Sequence, residues 1–239
     1  MTERPRLLNG PMVRATLDGR KTQTRAPISP QPTKDEPIEF ANGTRLDGWS
    51  WPIPKKDWRR IGASSLGFHP GEEDIMDQFG PFGLPGDRLW VRETWQAVHF
   101  STDHETGICD DWSPAAEIPR SDESGWWTPV YQATDPDGCD TAEDRGYGYR
   151  PSIHMPRWAS RIDLDVLSVR VERVQDITEG DARWEGVGHV LGDDYPEVSR
   201  ILQACGSRRQ AFAWLWDSLY PGSWQRNDWV WQCSFRRVE

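Results

Sequence analysis

The stretch SRIDLDVLSVRVERVQDITEGDARWEGV, residues 160–187, carries the strongest strand signal in the chain. Ile162, Leu164 and Val166 alternate with a period of two, as one face of a strand requires. Val169, Val171 and Val174 resume the apolar series after a break, and a break of that kind predicts a β-bulge between the two halves. The pattern then changes. Thr178 suits a helix cap, and Asp181 stands three residues on, a shortened form of the capping box. A long strand is therefore expected to run directly into a helix within TEGDARWEGV.

Other elements fall into place around this one. NGPMVRATLD (9–18) suits a short helix: Asn9 caps it, Pro11 occupies its first turn, and Met12, Val13, Thr16 and Leu17 give it an apolar side. Gly19 is a natural stop. RKTQTR then alternates like a strand, with Lys21 and Gln23 on one face and Thr22 and Thr24 on the other. LPGDRLWVRETWQAV (84–98) holds a turn at Pro85-Gly86-Asp87, and Leu89, Val91, Thr94 and Val98 mark strand residues. SRRQAFAWLWDSLYPG (207–222) predicts a helix with Phe212, Leu215, Trp216 and Leu219 facing the core and Pro221-Gly222 as its stop. WVWQCSFRRV (229–238) closes the series as a strand.

Two stretches keep no period. Residues 27–83 are rich in Pro, Gly, Trp and charge and read as a long insert with room for a short hairpin. Residues 101–148 form a second, acidic insert, with a strand possible at WWTPVYQA. The expectation is one α+β domain over 1–239. Its core lies at about 9–25, 84–98 and 149–239 and forms a small β-barrel with flanking helices.

Composition narrows the function. The formal net charge of −10 argues against non-specific polyanion binding, though cations cluster locally at 14–25, 55–60, 157–161 and 236–237. The four cysteines, Cys109, Cys139, Cys205 and Cys233, are widely spaced. They give no zinc motif and no disulfide framework. There is no signal-peptide pattern and no long apolar run, so a cytoplasmic protein without membrane contact is expected. GxSxG, P-loop and HExxH motifs are absent, and neither a metal nor a cofactor is expected. His99 and His104, beside Asp103 and Glu105, lack the further ligand cluster a metal site needs. The 15 tryptophans are expected mostly in the core.

GRKTQTR, PGDRLWVRETW, PSIHMPRWASRI, VERVQDITEGDARWEGV and WVWQCSFRRV, in that order, resemble the ASCH domain of the PUA-like superfamily. They are most similar to the long ASCH proteins carried by tailed phages and prophages, which would place the protein in a host cytoplasm. The resemblance covers about 9–25, 84–98 and 149–239. It implies a compact β-barrel that recognises RNA or single nucleobases. Some small bacterial ASCH proteins are amidohydrolases that remove the acetyl group of N4-acetylcytidine, and some relatives are reported to be ribonucleases. Carried over by position, the implied catalytic set is Lys21, Thr24 and Glu185. One departure is visible: Ala26-Pro27 stands where such phage proteins continue with another Arg, which removes a cation from the rim of the implied site.

The chemistry sets conditions on that trio. A threonine hydroxyl needs activation, and a lysine activates it only when neutral part of the time, through burial or adjacent cations such as Arg20 and Arg25. Glu185 opposes this by favouring the ammonium, or else orients Lys21 and relays a proton. On a regular strand residues 21 and 24 face apart, so the pair converges only if the chain bends. The competing account is a fold-stabilising Lys21–Glu185 ion pair with Thr24 as an ordinary strand hydroxyl. Further candidates for substrate binding are Arg92 and Glu93, the stacking residue Trp95, and the loop residues His154, Arg157 and Trp158. The expected partner is a nucleoside or modified nucleobase, with RNA or modified DNA as the alternative.

Overall fold

The computed structural model describes residues 1–29, 31, 38–39, 45–46, 80–102, 109–121, 126–134, 142, 146–188 and 196–238. In chain order these form β1 (Glu3–Leu7), α1 (Gly10–Leu17), β2 (Gln23–Pro27), β3 (Ile38–Glu39), β4 (Arg45–Leu46), β5 (Arg88–Arg92), β6 (Trp95–Thr102), β7 (Cys109–Pro114) and β8 (Thr128–Tyr131). After them come β9 (Asp163–Arg173), α2 (Glu179–Trp184), α3 (Pro196–Cys205), α4 (Arg208–Leu219), α5 (Ser223–Arg226) and β10 (Trp229–Arg237). The architecture is α+β.

The central sheet has five strands in the order β1-β5-β9-β10-β2, with only the β1–β5 pair parallel. β9 is the middle strand, and its apolar alternation behaves as its sequence demands. Leu164 and Val166 are buried, and the β9–β10 register steps from Ser168↔Ser234 to Val166↔Phe235, leaving Leu167 unpaired and 53% exposed. The extra residue resets the alternation, so Val169 and Val171 pack back against the same core.

Among the described residues the expected small β-barrel is not closed, because β1 and β2 are the two edges of the sheet and do not pair with each other. Pro5 in β1 has no N–H to give a ladder, which suits an edge strand. The alternation of β1 is also inverted: Pro5 and Leu7 face out, while Arg4 and Arg6 are half-buried. The edges nevertheless come close. Arg6 donates from Nη2 across the gap to Thr24 Oγ1 at 3.4 Å and to the Arg25 carbonyl at 3.3 Å.

Three apolar cores support the chain. The first joins the sheet to α1 through Val13, Leu89, Leu164, Trp231 and Phe235. The second packs α2, α3 and α4 through Ala182, Val198, Phe212, Leu215 and Trp216 onto Val174 and Val230. The third sets Trp95 and Ala97 of β6 on Met155 and Ala159. Within the described part of the second insert, β7 and β8 flank β6 in an antiparallel sheet, and β8 falls in the WWTPVYQA stretch. In the first insert, β3 and β4 make the short antiparallel pair for which its sequence left room. α3 has no counterpart among the sequence expectations, although Pro196 at its first position is a helix-start signal. Among the described side chains Trp95, Trp216 and Trp231 are buried in the three cores and Trp127, Trp158, Trp224 and Trp229 pack against them, while Trp126, Trp184 and Trp214 are exposed. No described helix is long and apolar enough to cross a membrane.

The bulge makes two neighbouring leucines unequal. Leu164→Ala is expected to lower stability by about 2–5 kcal/mol through cavity formation. Leu167→Ala, at the exposed extra position, is expected to change it by no more than about 0.5 kcal/mol. Urea unfolding of the two variants measures the difference, and equal losses would contradict the register.

Candidate functional site

The site is built where α1 turns into β2. Asn9 caps α1 by accepting from the Met12 N–H at 3.1 Å. At the far end Gly19 adopts φ +71°, a left-handed conformation suited to glycine. The chain reverses there, and both Arg20 and Lys21 return their N–H groups to the Ala15 carbonyl. Lys21 is thereby turned inward before the strand begins at Gln23. On the other side, Thr178 and Asp181 complete the expected reciprocal cap of α2. That short helix ends on Glu185 and then on Gly186, at φ +98°. A Cβ on Gly186 would lie 3.3 Å from the Ala15 Cβ and 3.7 Å from the Lys21 Cβ, so glycine lets the end of α2 close on the stem of Lys21.

These two turns bring together residues 164 positions apart: Lys21 Nζ donates to Glu185 Oε2 at 2.7 Å. It also donates to the Glu185 carbonyl at 2.9 Å and the Gln23 carbonyl at 2.7 Å. The ammonium thus has an acceptor for each proton, and its side chain is fully buried. Arg25 donates from Nη1 to Glu185 Oε1 at 2.9 Å and from Nε to Glu172 Oε1 at 2.8 Å, also fully buried. Arg170 caps the series on Glu172 Oε2 at 2.8 Å. Cations and carboxylates therefore alternate along one chain that is buried from Lys21 to Glu172 and reaches solvent at Arg170.

Burial lowers the Lys21 pKa, and Arg6 and Arg25 push it the same way, while Glu185 opposes them. The condition set by the sequence, a lysine made less basic by burial and adjacent cations, is met in direction. Removing several charges from water costs several kcal/mol per ion before attraction offsets it. Well-packed apolar residues commonly stabilise an interior at least as well. An ionic chain of this kind beside a cavity is accordingly a candidate for function rather than for stability.

The cavity lies in the gap between β1 and β2 and has a volume of about 180 Å³. Arg6, Thr24, Arg25 and Glu185 form its polar side, and Phe212, Leu215 and Trp216 of α4 its apolar wall. Leu219, expected in the core, instead stands 49% exposed and still lines this pocket. Thr24 and Glu185 thus share one cavity, and Lys21 backs Glu185 from behind. No described hydrogen bond joins Lys21 to Thr24. The described partner of Thr24 Oγ1 is Arg6.

The remaining candidates lie elsewhere. Arg20 pairs with Asp18 and borders a separate surface depression with Arg183 and Trp184. Arg92 donates to the Met155 carbonyl at 2.9 Å and covers the Trp90 ring. Glu93 is fully buried in a two-bond pair with Arg161, both at 2.9 Å. Trp95 is fully buried and packs edge-on against Trp158, so it has no face on which a base can stack. Trp158 donates its ring N–H to the Pro119 carbonyl at 3.0 Å. Arg157 pairs with Glu3 and Asp163, and His154 is exposed. None of these lines the cavity beside Glu185. His104, Asp103 and Glu105 lie outside the described residues, and the His99 ring stacks on Trp126. Among the described residues no group of three or more His, Cys, Asp or Glu is placed to hold a metal ion.

Sequence reasoning missed Arg6 and Glu172. Arg6 carried one signal, the alternation Arg4/Arg6 against Pro5/Leu7 just before the Asn9 cap. Glu172 had none, because its role depends on the β9–β10–β2 register. No protein-family model, no curated protein and no solved structure matches the chain.

Cys233 lies opposite Thr24 in the β10–β2 register, and burial pushes its thiol up to about 12 from an ordinary 9.0. The folded state keeps that proton at pH values where the unfolded chain releases it. The stabilising contribution is therefore whole below about pH 9 and falls as pH approaches 12. Lys21 acts in the opposite sense: its folded pKa lies below 10.5, so its contribution improves as pH rises towards that value. Cys233→Ala is expected to lose less stability than wild type across pH 9–12. Denaturant midpoints measured over that range check this, and parallel curves would show that the thiol is not buried.

Proposed function

We propose that the chain is a nucleoside-recognising protein of the PUA-like, ASCH type, and that it hydrolyses the amide of N4-acetylcytidine-type substrates. The observation that supports this reading is that Thr24 and Glu185 line one cavity while Lys21 holds Glu185 from behind it, the three residues being the trio named from the sequence resemblance. The acyl carbon of the substrate is attacked by Thr24 Oγ1. The hydroxyl proton passes to the Lys21–Glu185 pair, whose cavity-facing member is Glu185, and then to N4 as the C–N bond breaks and cytidine leaves. Water cleaves the resulting Thr24 ester, releasing a carboxylate and restoring the hydroxyl. In this scheme Lys21 works chiefly through Glu185, because its three donors are already engaged.

That same engagement, with no Lys21–Thr24 hydrogen bond described, favours a second reading: a non-catalytic module that binds RNA or a modified base of DNA. The volume of the cavity, about 180 Å³, suits one end of a nucleoside, with the remainder outside.

A panel of N4-acylated cytidines, assayed for released cytidine, separates the two. The wild type is expected to turn over at least one member. Thr24→Ala and Glu185→Gln are expected to lose about 10²-fold or more in kcat/KM. Lys21→Ala is expected to be inactive, with circular dichroism confirming the fold of each variant. A wild type inert across the panel that binds an oligonucleotide with salt-dependent affinity would replace hydrolysis with recognition.

A further inference from the structure

Arg6 reaches the cavity with most of its donors unused. A guanidinium carries five N–H groups. Arg6 commits Nη2 to two long contacts, with Thr24 Oγ1 at 3.4 Å and the Arg25 carbonyl at 3.3 Å. Its Nε is buried without a partner. The Phe82 ring covers one face of the group at 4.8 Å, which shields it from bulk water on that side. An unmatched buried donor opposes folding, so its retention calls for an explanation.

The surrounding charges supply one. Glu185, the carboxylate lining this cavity, has one oxygen on Lys21 and the other on Arg25. Arg25 is engaged by Glu172 as well. Arg6 is thus the cation lining the cavity that has no carboxylate within bonding distance among the described residues. The first turn of α1, with Asn9 and Met12, also borders the space and presents the positive end of that helix. Across from this electropositive side stands the apolar wall of α4. The volume, about 180 Å³, is close to that of a cavity of about 150 Å³ known to admit benzene, so one ring or a short acyl chain fits.

We propose that this cavity binds a small organic carboxylate with a compact apolar body, its oxygens on Arg6 and its body against Phe212, Leu215 and Trp216. The site goes beyond the hydrolase reading and holds whether or not an amide is cleaved. Where one is cleaved, the bound carboxylate is the acyl product, and Arg6 also meets the oxygen that becomes negative during attack.

The test compares benzoate with its neutral counterpart benzamide on the full-length protein, by calorimetric titration and by the Nε–H resonance of Arg6 in a ¹⁵N-labelled sample. Wild type is expected to bind benzoate about tenfold or more tightly than benzamide, in line with charge-assisted hydrogen bonds. The Arg6 resonance should shift with benzoate alone. Arg6→Met should remove the preference, and Arg6→Lys should restore part of it. Equal binding of the two probes, an Arg6 resonance unmoved by benzoate, or a preference that survives in Arg6→Met would overturn the assignment. The wild-type resonance decides the matter even where Arg6→Met does not fold. Benzoate binding without acylcytidine turnover would reject the hydrolase and keep this site. Turnover without benzoate preference would do the reverse.

Discussion

The buried contact between Lys21 and Glu185 is the constraint on which the rest of the structure turns. An ammonium and a carboxylate removed from water are tolerated only when their remaining protons and lone pairs are met. Here the Gln23 and Glu185 carbonyls complete the lysine, and Arg25 completes the glutamate. Each partner is delivered by a turn with little freedom. Gly19 reverses the end of α1, and Gly186 allows the end of α2 to approach it. The long central strand β9 sets the distance between those turns, and β10 ties them together by pairing with both β9 and β2.

The open edges of the sheet give this contact a use. A sheet that closes into a barrel hides its edges and fills its interior with side chains. This one stops short, with β1 and β2 left as neighbours that do not pair. Arg6 bridges them through side-chain donors instead of a backbone ladder. The inward-facing arginines of β1 also discourage another strand from adding to that edge. The gap they leave is the cavity, so one feature of the topology accounts for both the absence of closure and the presence of a site. An apolar helix face on one side and a buried ionic chain on the other make the space amphipathic. That is the character required by a ligand with a polar head and a compact body.

Charge placement resolves the tension present at the sequence level. Arg25 is fully buried within the ionic chain and Arg20 lies away from the cavity, so the two flanking arginines are not equivalent. The cation that touches Thr24 is neither of them but Arg6, from the opposite edge.

Patterns of local origin were legible in the sequence, because they depend on neighbours along the chain. The break in the β9 alternation, the Asn9 and Thr178 caps, the Gly19 stop and the apolar side of α4 follow from periodicity and capping chemistry, and each has its structural counterpart. The α+β class follows from their order. The tertiary structure alone decided which side chains meet. Trp95 and Glu93 carry the residue types of a recognition surface, yet the third core and Arg161 consume them, since burial is settled by what packs above a strand rather than by its own alternation. Glu172 gained its place from a register with distant strands. Arg6 gained its place from the failure of two edges to pair, a property of the whole sheet that no window of sequence contains.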